Sequence, residues 1–148
     1  MRARYPDAEG FVDRNGVKVG YEVFGAGEPA VVFAPVDPIV HSRVWKAQVP
    51  YLARRFRVIT VDPRGNGRSD RPQEPAAYAD TEFVADTVAV LDACDVEQAV
   101  IVGISYSGWV SLLMAAWHPE RVLGVVAIGS WAPELVPTSP PPLSLIHI

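Results

Sequence analysis

The apolar positions of this chain fall into two kinds of run, which alternate from about residue 30 onward. Four short stretches are β-branched and almost continuously apolar: "AVVFA" (Ala30 to Ala34), "FRVITVD" (Phe56 to Asp62), "AVIVG" (Ala99 to Gly103) and "VLGVVAIG" (Val122 to Gly129). Runs without polar alternation predict strands covered on both faces, as in a parallel sheet. Between them, apolar residues recur at helical spacing: Trp45, Val49, Leu52 and Phe56; then Val84, Val88 and Leu91; then Trp109, Leu112, Leu113, Ala116 and Trp117. Asp80 and Thr81 are N-cap candidates for the second of these helices, with acidic residues in its first turn. Upstream, "GFVDRNGVKVGYEVFG" predicts two short strands turned by Asn15-Gly16, a strong hairpin signal. Strands alternating with helices imply right-handed crossovers. The expected fold is therefore α/β: an open, mostly parallel sheet led by an antiparallel hairpin. No internal repeat is present. After Trp131 the sequence becomes "APELVPTSPPPLSLIHI", where five prolines preclude a regular helix or central strand.

Composition narrows the function classes. The 148 residues suit one domain with a core of its own, and 49% of them are hydrophobic. A formal charge of −4 gives no electrostatic footprint for nucleic acid or an anionic membrane. Arg2, Arg4, Arg54, Arg55 and Arg57 are scattered and read as solvated positions. Cys94 is the lone cysteine, which excludes an internal disulfide framework and suits a reducing compartment. Its place among helical apolar positions marks it as a small buried hydrophobe. No apolar run reaches the roughly 18 residues that span a bilayer. The N-terminus "MRARYPDAEG" has no apolar signal core, so a cytoplasmic location is expected. The sequence leaves the oligomeric state open.

The candidate chemistry lies in "AVIVGISYSGWVSLLMAAW", which passes from strand through a turn directly into helix. A serine at such a junction needs a sharp turn, so the residues two positions away on each side must be small. Gly103 and Ser107 flank Ser105 in this way, whereas Ser107 would have Ser105 and the bulky Trp109. Ser105 is therefore the candidate nucleophile and Ser107 the small spacer. Gly108, Ser111 and Ala115 continue a stripe of small residues that lets the helix pack closely. Free N–H groups at the helix start lie beside such a serine. The N–H of Tyr106 could hold the oxyanion of a tetrahedral intermediate, a contribution of roughly 3–4 kcal/mol.

With these residues in place, the chain resembles the front part of an α/β-hydrolase, whose nucleophile elbow reads G-x-S-x-G. Ser107 stands where the second glycine is expected. "DPRGNGRSDRP" (Asp62 to Pro72) resembles the D-x-R-G-x-G-x-S-D loop after that family's fourth strand. "VHSRVWKAQVPYLARRFRVITVD" resembles its first helix and fourth strand, and "AAWHPERVLGVVAIGS" its later helix end and sixth strand. The likeness runs from about Gly10 to Ser130 and extends to bacterial hydrolase domains, some fused to adenylate cyclase or transcriptional-regulator modules.

The resemblance implies a serine hydrolase that acts on a small-molecule ester, amide or thioester through an acyl-enzyme on Ser105, with no cofactor and no metal. It implies a second oxyanion donor in the loop after the third strand, here "APVDPIVH". By position this is the N–H of Asp37, with Val36 the alternative, since Pro38 cannot donate. A carboxylate at Asp37 must then turn away from the oxyanion or carry a proton. Two other readings on this fold stay open: a ligand-binding or sensory domain of a signalling protein, and C–C bond hydrolysis or cofactor-free peroxidase chemistry.

The remaining polar features read as structural. "RGNGRS" lacks the G-K-[ST] ending of a phosphate loop and is expected to be a tight turn. His118 falls at the end of the third helix, where it can cap carbonyls, and His41 in a surface loop. The family places its acid and its histidine after the serine. His118, on the helix leading away, is unsuited to reach Ser105. Glu134 is the one acidic residue after Glu120, and a weak candidate. His147 lies in "LSLIHI", which resembles a translated transposon-end sequencing adapter. The expected division is thus 1–135 as the N-terminal portion of the hydrolase domain, 136–142 as the Pro-rich start of the cap region, and 143–148 as adapter-derived. The family's last two strands and the cap have no expected counterpart, and the chain alone is expected to be inactive.

Overall fold

The structure, a computed structural model, describes residues 4–130. Trp131, Glu134, His147 and the segments 136–142 and 143–148 lie outside the described residues.

β1 (Ala8–Arg14) and β2 (Val17–Phe24) form the expected hairpin. Its turn needs two left-handed residues, and Asn15 (φ 54°) and Gly16 (φ 83°) supply them. The Asp13 carboxylate accepts the Gly16 N–H at 2.8 Å and closes the turn. The apolar runs become β3 (Ala30–Phe33), β4 (Arg57–Val61), β5 (Ala99–Ile104) and β6 (Val122–Ile128). The sheet has the order β1-β2-β4-β3-β5-β6. β2 meets β4 antiparallel, and β4, β3, β5 and β6 run parallel.

Two of the predicted helices form as long elements, α2 (Asp80–Ala93) and α3 (Tyr106–Trp117). The first does not. The segment predicted as one helix from Trp45 to Phe56 breaks into a 3₁₀ turn at Ser42–Trp45 and a single α turn, α1 (Val49–Leu52). Pro50 explains the break, because it has no N–H to bond back into the preceding turn. Its apolar residues keep their inward direction: Trp45 and Val49 are buried, and the Trp45 ring stacks on Phe33 with centroids 4.3 Å apart.

Strand alternation divides the core between the two faces of the sheet. Val32, Ile59 and Ile101 pack under Phe83, Leu91, Leu113 and Met114 from α2 and α3. Val31, Phe33, Val58 and Val102 point the other way, toward Trp45, Val49 and Ala53. Cys94 is buried in the first of these cores, as its spacing predicts. No helix among the described residues is long and apolar enough to cross a membrane.

The connections place the site. From β3 the chain moves to β4 on one side; from β5 it moves to β6 on the other. The carboxyl ends of β3 and β5, which are neighbours in the sheet, therefore send their loops in opposite directions. Such a switch point opens a crevice between adjacent loops, the usual place for a ligand in an open α/β sheet. The loop carrying Asp37 and the turn carrying Ser105 are the two that flank it.

The loop after β4 is a structural turn, as its composition predicts. Gly65 and Gly67 take positive φ of 91° and 57°. A Cβ on Gly67 would lie 2.4 Å from the Asp62 carboxyl carbon. Arg64 departs from the usual placement of arginine. It is 1% exposed and grips Asp86 on α2 in a fork, Nε to Oδ2 at 2.8 Å and Nη2 to Oδ1 at 2.6 Å.

Candidate active site

The end of β5 and the start of α3 meet with no linker, so one residue must reverse the chain. That residue is Ser105, at φ 53° and ψ −120°. A β-carbon makes this conformation unfavourable by about 1–3 kcal/mol, so the surroundings must enforce it. They do so by close packing. A Cβ on Gly103 would lie 2.1 Å from the Ser107 carbonyl oxygen, so β5 and the first turn of α3 touch through backbone. The Ser105 N–H donates to the Ile128 carbonyl of β6 at 2.9 Å, which anchors the near side of the bend.

Ser107 is more than a small spacer. Its buried hydroxyl accepts the Ile104 N–H at 2.8 Å and donates to the Ile104 carbonyl at 2.9 Å. A serine in place of the motif's second glycine thereby staples both sides of the bend. Ser105, by contrast, is exposed, and its hydroxyl does not cap the helix.

At the first position of α3, Tyr106 has an N–H that the helix cannot use. Among the described residues no acceptor bonds to it, nor to the N–H of Asp37. Asp37 opens a β-turn whose next residue, Pro38, has φ preset for that role. The Asp37 carbonyl accepts the Val40 N–H at 2.8 Å, and its Oδ1 accepts the Ile39 N–H at 3.0 Å. The carboxylate is thus folded onto its own loop.

Beyond the elbow, Asp80 behaves differently from the sequence expectation. Ala79 is the N-cap of α2, and Asp80, one residue on, does not cap it. Its carboxylate reaches α3 instead: Oδ1 accepts the Tyr106 hydroxyl at 2.6 Å and Oδ2 the Trp109 indole N–H at 3.0 Å. The Tyr106 ring also meets Phe83 edge-on, with centroids 5.5 Å apart. Burial, then the Asp80 bond and charge, then the charge of Asp37, push the Tyr106 phenol well above its ordinary value. The partners of Asp80 stand 26 and 29 residues downstream, which no local pattern signals.

Among the described residues, His41 and His118 bond to none of Ser105, Tyr106 and Asp37. His41 Nδ1 accepts the Arg43 N–H at 3.0 Å and caps the 3₁₀ turn, 3.8 Å from Asp62. At the end of α3, His118 turns its Nδ1 toward Glu120 at 3.6 Å rather than toward helix carbonyls. Among the described residues no group of three or more His, Cys, Asp or Glu side chains could hold a metal ion. A separate crevice, lined by Glu22, Ser42, Trp45 and Thr60, shares no residue with the elbow.

Comparison with known proteins agrees with the fold. The family described as alpha/beta hydrolase fold matches residues 27–146. The chain is 39% identical over 116 residues to a 2-hydroxymuconate semialdehyde hydrolase of Pseudomonas sp. strain CF600, a match that covers 78% of this chain and 41% of that protein. It is 36% identical over 140 residues to epoxide hydrolase A of Mycobacterium tuberculosis, covering 90% of this chain and 41% of the relative. Among solved structures, the N-acyl homoserine lactone degrading enzyme Est816 superposes with a TM-score of 0.76 at 36% identity, over 82% of this chain and 45% of its own. A hydrolase from Pseudomonas aeruginosa PA01 superposes with a TM-score of 0.77 at 30% identity, over 86% and 49%. The chain thus spans less than half the length of these relatives. From its sheet order, its elbow and these matches, the chain belongs to the α/β-hydrolase fold family.

Proposed function

We propose that Ser105 is the nucleophile of a hydrolase that cleaves a small-molecule ester, amide or thioester. The observation that carries this reading is the exposed serine held at φ 53° and ψ −120° at the head of α3, beside the sheet's switch point. Its Oγ adds to the acyl carbonyl, and the resulting oxyanion accepts hydrogen bonds from the N–H groups of Tyr106 and Asp37. Collapse expels the alcohol, amine or thiol, and water then releases the acid from the acyl-enzyme. The Asp37 carboxylate, engaged by Ile39, leaves the oxyanion site to its own N–H.

Serine needs a base, and the base an orienting carboxylate. His41 and His118 are committed elsewhere, so we assign both roles to residues outside those described. The segment 1–135 is then the nucleophile-bearing portion of the domain, and alone it turns substrate over poorly. Its lone cysteine suits a cytoplasmic location.

Elementary chemistry separates the relatives as guides. A serine that opened an epoxide would become an alkyl ether, with no carbonyl for water to attack. Relatives named as epoxide hydrolases therefore inform the fold and not the bond broken. The lactone-degrading enzyme fits the acyl reading directly. The 2-hydroxymuconate semialdehyde hydrolase favours a second reading on the same serine. That compound has neither ester nor amide, so its hydrolysis breaks a carbon–carbon bond beside a carbonyl.

The full-length protein is to be tested with aryl esters, thioesters, acyl-homoserine lactones and an unsaturated diketo acid. An acyl adduct on the Ser105 peptide, absent in Ser105→Ala, supports the serine reading, and the preferred panel member chooses between the two bonds. Turnover undiminished in Ser105→Ala, or tight binding with no turnover of any member, removes it; the latter points to a ligand-binding domain.

A further inference from the structure

We propose that Asp80 is a positioning residue for the elbow: its carboxylate takes the Tyr106 hydroxyl and the Trp109 indole N–H together and fixes the first turn of α3 against the start of α2. The inference rests on the serine reading above. Its two bonds are 2.6 Å and 3.0 Å long, and each carboxylate oxygen serves one donor. Tyr106 and Trp109 are three residues apart, so they project from the same side of α3 and a single carboxylate can reach both.

The reason such a clamp matters lies in the strain at Ser105. A residue held at φ 53° and ψ −120° relaxes most cheaply by swinging the peptide that joins it to the next residue. That peptide carries the Tyr106 N–H. Swinging it rotates the donor away from the oxyanion position and tilts the first turn of the helix. Anything that holds the Tyr106 side chain opposes the swing. Asp80 holds its hydroxyl and Phe83, three residues further along α2, holds the edge of its ring. The acidic side chain also sits in the first turn of α2, where the helix end favours negative charge, so the clamp is itself well seated. Asp80 touches neither the serine nor the oxyanion position; it acts through Tyr106 and Trp109.

The test is steady-state kinetics on the full-length protein with its preferred panel substrate. Displacing a donor by a fraction of an ångström suffices for Asp80→Ala to lower kcat about 10- to 100-fold with KM changed less than about twofold. Asp80→Asn, which keeps one acceptor oxygen, falls between Asp80→Ala and the parent. In a Tyr106→Phe, Trp109→Phe background, which has no donors to clamp, Asp80→Ala adds less than about a further twofold loss. Arg121→Ala, which breaks a surface pair with Asp92, leaves kcat unchanged and controls for lost stability. Should Asp80→Ala fail to fold, Asp80→Asn and Tyr106→Phe carry the comparison. Unchanged kcat in the Asp80 variants of an active protein overturns the clamp alone, as does an equal loss in the donor-free background. Full turnover in Ser105→Ala overturns the serine reading, and the clamp with it.

Discussion

Gly103 and Ser107 meet backbone to backbone across the bend at Ser105: a β-carbon on Gly103 would sit 2.1 Å from the Ser107 carbonyl oxygen. No side-chain motion relieves that contact, because both partners are main chain. Gly103→Ala must therefore push β5 and α3 apart. Overpacking of this kind costs about 1–3 kcal/mol, and the variant is expected to show a loss of this size in urea unfolding together with a displaced Ser105. Unfolding at the parent's midpoint would show that the bend is looser than described.

Ser107 gives a sharper comparison, since substituting glycine completes the G-x-S-x-G pattern. Ser107→Gly removes both bonds to Ile104 and places a glycine in the first turn of α3. It is expected to lose about 1–2 kcal/mol of stability. Equal or greater stability in the glycine variant, measured by the same urea titration, contradicts the stapling role.

Arg64 and Asp86 tie the loop after β4 to α2, and each is 1% exposed. Removing Arg64 leaves the buried Asp86 carboxylate facing only Arg14, whose Nε stands 3.6 Å away and bonds no acceptor among the described residues, so Arg64→Met is expected to cost up to about 3–5 kcal/mol. Replacing both, as Arg64→Met with Asp86→Leu, recovers much of that loss. Thermal unfolding of the four proteins checks this, and additive losses would place the pair in solvent.

These contrasts show where the sequence is legible. Asn15-Gly16, the apolar strand runs and the glycine before Ser105 act within a few residues of themselves, so the hairpin, the sheet and the elbow can be read directly. Pro50 is local too, yet the apolar spacing around it mimics a helix because its residues face a common core in either conformation. Arg64 and Asp80 were not legible. Their partners are Asp86, Tyr106 and Trp109, brought to them only by the crossovers. A charged residue near a helix start reads equally well as a cap or as a surface group until the neighbouring helix is in place. The same limit applies to Ser107, whose hydroxyl reads as a mere small group until the bend closes on Ile104.

Tyr106 sets an alkaline limit. Burial, the Asp80 bond and charge, and Asp37 raise its phenol above the ordinary 10.0 in the folded protein. The unfolded chain releases this proton first, so above pH 10 it binds fewer protons than the native state and stability falls as pH rises. The contribution is fully present below that value and is lost progressively toward the folded-state value. Tyr21, raised chiefly by burial, adds a smaller slope of the same sign. Urea unfolding between pH 9 and pH 11 is expected to show a shallower decline in Tyr106→Phe than in the parent. Parallel declines would mean that the Tyr106 hydroxyl ionises freely.

The proposed role of Ser105 is that of a nucleophile aimed at amide protons. Its most direct measurement is the reaction of the full-length protein with a fluorophosphonate, followed by peptide mass mapping. A single adduct is expected, on the peptide containing Ser105, and it disappears in Ser105→Ala and persists in Ser107→Ala. An adduct on another residue, or none while the protein remains folded, contradicts it.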